Sequence, residues 1–476
     1  MSSDDYERIN VVDEGVDNTG SESIVEDLEA LLDDNVRLYF PSGKYYMDEQ
    51  IRFTDFENLW LEGVPGETTI VPASADSFSG EARLFKLGTY YEPGDYLQIE
   101  GFTFDFTASN TGSRAIQAQV NECCFYDIDF VGEHDSGTWG PMEVDIIDPE
   151  GSGIIEQVRM PDGGRYTRNT STDGEPTVST GPTGMLMSPY HRGELRIRNC
   201  EVGPFPDNGL YVSGNEGRVI VEGGEFYNSN IANIRMAGNG SAIRNATIVV
   251  DENRSPDENQ PGIRLDDGNA MSVKNVEIVL DAPNGDAIRS TDAVSSATIE
   301  GCSISIASGS VNNGIVLSEG TGEIAVVDTD IEMDSGGQAI QVRDGSQPVV
   351  LDGVTVTGDA SGAEGGREAI RVDRSGTELT NVTVDQPGDD YRRAVTVTAD
   401  DCTLAGGTYE STYYPITNEA NGTTIRDLTA RSYDGYEAVH LIGGYSDVTI
   451  VDNTLYGGIR DDGTSNLREE GNETPE

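Results

Sequence analysis

From Leu186 to about Gly458 one short pattern returns: a small residue, an apolar one, a polar one, another apolar one. It reads Asn-Gly-Leu210-Tyr-Val, Asn-Ile234-Arg-Met, Gly-Ile263-Arg-Leu, Ala-Ile288-Arg-Ser, Gly-Ile315-Val-Leu, Ala-Ile340-Gln-Val, Ala-Ile370-Arg-Val, Ala-Val395-Thr-Val, Pro-Ile416-Thr-Asn and Ala-Val439-His-Leu. From Leu186, successive anchors lie 24, 24, 29, 25, 27, 25, 30, 25, 21 and 23 residues apart. Between them sit runs such as Leu195-Arg-Ile-Arg-Asn, Val219-Ile-Val-Glu-Gly, Ala297-Thr-Ile-Glu-Gly and Ile324-Ala-Val-Val-Asp. Each unit holds two or three short segments of apolar period two broken by Gly, Asn or Asp, which are strands and not helices. Units that cannot close a core alone must stack, so the spacing predicts an all-β parallel solenoid.

Upstream, Ser21-Glu-Ser-Ile-Val-Glu-Asp-Leu-Glu-Ala-Leu-Leu places Ile24, Leu28, Leu31 and Leu32 on one helical stripe, with Ser21 or Ser23 as N-cap. That helix is expected to cover the open N-terminal edge. Ile116 reads as an anchor, yet the next is Leu186, seventy residues on. The gap predicts an excursion over His134 to Pro182, with Glu143-Val-Asp-Ile-Ile-Asp and Ile154-Ile-Glu-Gln-Val-Arg-Met as a β-hairpin. The expected divisions are 1–40 for the first strand and capping helix, 41–131 for the first coils and 132–185 for the inserted hairpin lobe. The main β-helix then fills 186–460, and 461–476 is an acidic flexible tail.

Tyr39-Phe-Pro-Ser-Gly-Lys-Tyr45, Leu59-Trp-Leu-Glu-Gly and Thr69-Ile-Val resemble the opening of the pectate-lyase-like superfamily, over roughly residues 8 to 72. The resemblance implies a right-handed parallel β-helix; the haloarchaeal or haloarchaeal-virus type expected here comes from the charge. The family's glycine-rich acidic step is degenerate, as Val16-Asp-Asn-Thr-Gly-Ser-Glu. Lyases, glycosidases, tailspikes and adhesins all belong there, so the resemblance speaks to fold before chemistry.

Charge changes the picture most. There are 85 acids against 30 bases, a net charge of −55, and Lys44, Lys86 and Lys274 are the only lysines. The acids are interleaved with strand pattern throughout, which argues against disorder. Such a surface suits high salt, where screening suppresses self-repulsion, and it repels nucleic acid. Five cysteines, Cys123, Cys124, Cys200, Cys302 and Cys402, show no zinc spacing and read as small buried residues. No run is long enough for membrane insertion, and the start Met-Ser-Ser-Asp-Asp shows neither a basic n-region nor an apolar h-region, so it reads as carrying no visible secretion signal. Release with a virion, retention inside the cell and removal of a leader all fit that start; the placement expected is a virion surface or the cell exterior.

Four constellations carry candidate chemistry. If Ile263 and Leu265 point inward, then Arg264 and Asp266 point out, with Arg235, Arg289, Gln341, Arg343, Arg371 and Asp373 on neighbouring turns. This row reads either as glycan-gripping forks or, preferred, as an ion-pair ladder between turns. Polygalacturonase-like carboxylates do not carry over: Asp266-Asp267 and Ser290-Thr-Asp292 stand in the wrong order and no Gly-His-Gly follows. No cofactor is expected; calcium on an acidic pair stays open, without a recognisable ligand spacing. The mouth of the excursion offers Trp139, Arg159, Arg165, Tyr166 and Arg168 beside His191, Arg192, Glu201 and Asp207, where His191 is a candidate general base. Last, Tyr409, Tyr413, Tyr414, Tyr433, Tyr436 and Tyr445 form an aromatic patch for sugar stacking or subunit contact.

Three functions follow. The lead is a non-catalytic or weakly catalytic glycan-recognising protein of a halophilic virion, a tail spike, fibre or capsid decoration for host attachment. Its partners are then a host surface glycan or glycoprotein, other virion proteins and two further copies in a homotrimer. The alternatives are a polysaccharide lyase or glycoside hydrolase, and a haloarchaeal cell-surface adhesin or structural protein.

Overall fold

In the computed structural model the described residues are 7–170, 180–254, 257, 259–363 and 367–475. They form an all-β, right-handed parallel solenoid fold of about 17 turns in all, and the chain divides into two compact units, Met1–Ser241 and Ala242–Glu476.

In the first unit, Val36–Tyr39 lies between Glu7–Asn10 and Asn58–Glu62, and Asn58–Glu62 continues onto Gly94–Glu100, all parallel. The 18-residue strand Arg114–Val131 serves successive faces of one turn: it pairs with Arg83–Leu87, Gly94–Glu100 and Phe102–Asp105 behind it. Ahead of it lie Met142–Ile146 and Ser152–Met160.

Those last two strands correct the expected hairpin lobe over 132–185. Met142–Ile146 is parallel to both Arg114–Val131 and Met185–Met187, and Ser152–Met160 is parallel to both Arg114–Val131 and Glu194–Arg198. They form a regular turn, and the added length is the loop after Met160. The anchors run Ile116, Met142, Met185, Leu210, so the anchor of this turn is Met185, one residue before the expected Leu186, which lies in register with Tyr211 while Met185 and Met187 are buried. A one-residue slip exchanges the two faces of a strand.

The N-terminal helix is shorter than expected, Val25–Glu29, and Ile24, Val25 and Leu28 are buried. Its N-cap is Ile24, with no side-chain cap. The Ser23 hydroxyl donates to Asp48 and accepts the Val25 N–H.

The second unit shows why the repeat works. Ile263, Ile288, Ile315, Ile340, Ile370, Val395, Ile416 and Val439 are register partners from turn to turn, each at most 1% exposed. Burying each such side chain contributes about 1.5–3 kcal/mol, and the stack needs no contact beyond the next turn. Of the five cysteines, Cys123, Cys200, Cys302 and Cys402 are buried, as expected, whereas Cys124 is only half-buried. The tail differs from expectation: Ile459–Asp461 pairs with Val439–Leu441 and Arg468–Glu470 with Thr449–Val451, so the acidic end is hydrogen-bonded as a final turn.

One corner explains the Asn, Asp and Gly punctuation. Asn275, Gly301, Asp328, Gly353 and Asn381 all adopt positive φ, between 45° and 66°. A Cβ on Gly301 would meet Asn275 Oδ1 at 2.7 Å, and one on Gly353 would meet Asp328 Oδ1 at 2.5 Å. A polar side chain on one turn fills the space a Cβ would need on the next. Gly353→Ala therefore combines left-handed backbone with a clash and should cost at least about 1–2 kcal/mol, measured by denaturant unfolding. An unchanged midpoint would refute this account of the corner.

Candidate functional site

The excursion residues do not converge. Trp139 donates its indole N–H to Glu81 Oε1 at 3.1 Å and lies under the Arg114 guanidinium. Arg159 pairs with Asp127 and Asp129, and Arg165 with Glu133. Arg168 stands 5.4 Å over the ring of Tyr166, itself buried. Glu201 accepts the Tyr227 hydroxyl at 3.1 Å, Asp207 accepts those of Thr183 and the Asn208 amide, and the exposed Arg192 reaches Glu216 at 3.7 Å.

His191 is buried, and its Nδ1 accepts the Ile146 N–H at 3.1 Å. Burial holds the imidazole down to about 4 from an ordinary 6.5, and a proton on Nδ1 would set two donors face to face. His191 is thus a structural acceptor and not a general base. Because its folded pKa lies below its unfolded one, the stability it adds is present above pH 6.5 and lost as pH falls toward 4, by up to about 3 kcal/mol. Comparing wild type with His191→Gln in unfolding at pH 7 and pH 4.5 should show the gap narrowing at the lower pH; a constant gap would contradict it.

Glu143 and Asp145 share one side of Met142–Ile146, alternating with Met142, Val144 and Ile146. Glu143 pairs with the buried Arg114. Asp145 is fully buried, accepting the Ser188 N–H at 2.7 Å, the Ser188 hydroxyl at 2.6 Å and Gln119 Nε2 at 2.9 Å. Burial pushes its pKa up to about 6, but a carboxyl so enclosed ties strands together and cannot reach a substrate.

The arginine row exists in register: Arg264, Arg289, Val316, Gln341, Arg371, Thr396, Thr417, His440 and Arg460 succeed one another along the second unit. Its ion pairs run within turns, where a ladder between turns was expected. Arg264 pairs with Asp266, Arg289 with Asp286, and Arg371 with Asp373 and Glu368. Neighbouring guanidinium groups in register repel, so each carries its own acid two or three residues away. Arg343 donates to Gln341 Oε1 at 3.0 Å. In the first unit Arg235 stands 4.3 Å over the Tyr211 ring.

The aromatic patch is partly assembled. Tyr413 lies 4.3 Å from Tyr414 and 4.6 Å from Tyr436, ring centre to ring centre, and Tyr391 lies 5.1 Å from Tyr413. Tyr414 packs on His440 at 4.4 Å. Arg393 stands over Tyr413 and Arg460 over Tyr414, each within 5.6 Å. His440 Nε2 and Arg460 Nε both reach Asp462, at 2.8 and 3.2 Å, and with the histidine contact as the larger cause they hold its carboxyl below the usual range. Beneath lie the Thr396 and Thr417 hydroxyls and His440 Nδ1, buried and without a hydrogen-bond partner among the described residues. Such atoms are what an ordered water or a ligand hydroxyl would satisfy.

The other predicted members lie apart. Tyr409 is core, in register with Val384 and Ala430. Tyr433 donates to Asp385 at 2.6 Å, and Tyr445 makes none of the ring contacts above. The sequence reading missed Tyr391 and His440. Asp390 and Tyr391 are consecutive non-glycine residues at φ 64° and 66°, and that uncommon backbone holds Tyr391 half exposed. Sequence offers no periodic signal for such a loop.

Among the described residues no group of three or more His, Cys, Asp or Glu side chains is placed to hold a metal ion, and no helix is long and apolar enough to cross a membrane. No protein-family model and no curated protein matches the chain. Solved structures do. The pre-mature bacteriophage phi29 gene product 12 is 11% identical with a TM-score of 0.48, covering 98% of this chain and 73% of that one. Geobacillus virus E2 ORF18 is 14% identical with a TM-score of 0.40, covering 80% of this chain; the match spans 61% of ORF18 itself. PfbA, a surface adhesin of Streptococcus pneumoniae, is 11% identical with a TM-score of 0.36, covering 98% and 93%.

Proposed function

We propose that this chain is a glycan-recognising surface protein adapted to high salt, the attachment component of a halophilic virion, which works by binding and not by bond cleavage. The observation that supports it is the gathering of Tyr391, Tyr413, Tyr414 and Tyr436, in the segments that lead into the successive strands Arg393–Val397, Ile416–Asn418 and Val439–Leu441, with Arg393 and Arg460. Tyrosine rings offer apolar faces for sugar C–H groups, and the hydroxyls and guanidinium forks at their rim offer hydrogen bonds. A trimer, assembled with other virion proteins, would raise weak single-site binding by avidity. The hydrolase alternative needs two accessible carboxylates; at the excursion Asp145 is enclosed, and beside the tyrosines the exposed Asp462 is ion-paired with His440 and Arg460.

The test is incubation in molar salt with polysaccharide from a haloarchaeal envelope. Retention on the immobilised polysaccharide with no new reducing or unsaturated ends is the expected result; release of either kind of end would favour the enzyme, and no retention would remove the proposal. The salt adaptation has its own check. With a net charge of −55, the thermal midpoint should rise steadily from 0.1 M to 3 M NaCl as repulsion is screened, and a flat response would contradict it.

A further inference from the structure

Tyr90, Tyr91 and Tyr190, all in the first unit, are 49%, 59% and 43% exposed. None stands out in the sequence, and a hundred residues separate the first from the last. Yet Tyr90 and Tyr190 stack with ring centres 4.2 Å apart and planes within 3°, and Tyr91 meets Tyr90 edge-on at 5.0 Å. Exposed aromatic rings so ordered need a reason.

The reason lies underneath. The Tyr90 N–H donates to Gln119 Oε1 at 2.9 Å, and Gln119 Nε2 donates to Asp145 at 2.9 Å. From the other side, the Tyr190 N–H donates to Ser188 Oγ at 3.2 Å, and the Ser188 hydroxyl and N–H both donate to Asp145. One buried carboxylate therefore fixes both turns. Gly88 closes the arrangement: at φ +74° it lies where a Cβ would be 2.1 Å from the Gln119 carbonyl oxygen. At the rim, Arg52 donates to the Tyr91 hydroxyl at 3.2 Å and lies 3.9 Å from Glu92.

We infer that Tyr90, Tyr91 and Tyr190 form a second carbohydrate site, independent of the tyrosine site in the second unit, which stacks a neutral pyranose ring and hydrogen-bonds its hydroxyls through the Tyr91 hydroxyl, Arg52 and Glu92. Size decides the occupant. Three half-exposed tyrosines offer roughly 300 Å² of aromatic surface, well under the about 800 Å² that each partner of a stable protein interface buries, and the rim is charged. One or two sugar rings fit that area. Preorganisation by the Asp145 network lowers the ordering cost that otherwise weakens sugar binding.

The experiment titrates the full-length protein, in molar salt, with hexaoses of α- and β-linked glucose, mannose and N-acetylglucosamine, following binding by calorimetry. At least one hexaose should bind wild type, and Tyr91→Ala with Tyr190→Ala should weaken it at least tenfold with the circular dichroism unchanged. Tyr413→Ala should leave that affinity alone. The inference is overturned if no hexaose binds, if the double variant binds as well as wild type, or if sedimentation shows that the variant breaks an oligomer, which would make this face a contact between copies. Loss of envelope binding in Tyr413→Ala, with the hexaose titration intact, reports on the proposed function alone.

Discussion

Replacing Arg374 with leucine should destabilise the second unit by about 4 kcal/mol or more, the largest single-residue effect expected in this protein. Arg374 is fully buried and spends its guanidinium on main-chain carbonyls. Its Nε donates to Arg343 O at 2.9 Å, Nη1 to Thr321 O at 2.8 Å and Gly322 O at 3.2 Å, and Nη2 to Ser318 O at 3.2 Å and Asp344 O at 3.4 Å. These oxygens belong to two preceding turns, so one side chain ties three turns at a corner where strand pairing stops. Leucine removes that donor from the Arg343, Thr321 and Gly322 carbonyls, the last two in buried residues, while Ser318 O and Asp344 O keep the N–H groups of Thr321 and Gly320. Lysine keeps the charge but not the planar fork and should recover only part of the loss. Urea unfolding of the three proteins checks this; a leucine variant within 1 kcal/mol of wild type would show that water reaches the corner.

Removing the rings of Tyr413 and Tyr436 together should lower affinity for haloarchaeal envelope polysaccharide by about 10- to 100-fold. Each ring brings about 0.5–1.5 kcal/mol of aromatic contact beyond its buried area, and the two share the surface between Tyr391 and His440. Tyr409→Phe is the control: its ring is in the core, and the change should leave affinity untouched. Equal affinity in the double alanine variant and wild type would sever the aromatic patch from recognition.

What the sequence made legible follows from what repeats. The anchors from Ile263 to Val439 stack as read, because an apolar residue once per turn has only one way to be buried. The one-residue offset at Leu186 arises where Met-Leu-Met offers three apolar residues in a row, so alternation alone cannot choose the face. A hairpin in place of a regular turn is what the sequence suggests when Met142 is passed over as an anchor: the steps from Ile116 to Met142 and from Met142 to Met185 are 26 and 43 residues, so the long step comes one turn later than expected. The site was half legible. Tyr413, Tyr414 and Tyr436 are close in the chain's own period, whereas Tyr391 depends on two left-handed residues and Tyr190 on a network through Asp145. Neither leaves a periodic trace. The buried Arg374 and Arg392 also escaped notice, since an arginine at a corner looks like surface until the carbonyls around it are seen.

The claim on which the functional reading turns is that the tyrosine face of the second unit contacts sugar. Ring-labelled tyrosine spectra recorded in molar salt, with and without saturating envelope oligosaccharide, test it most directly. Perturbed ring signals from Tyr391, Tyr413 and Tyr436, with those of the core residues Tyr45 and Tyr409 unmoved, are the predicted result. Silence from all three, while oligosaccharide is demonstrably bound, would contradict it.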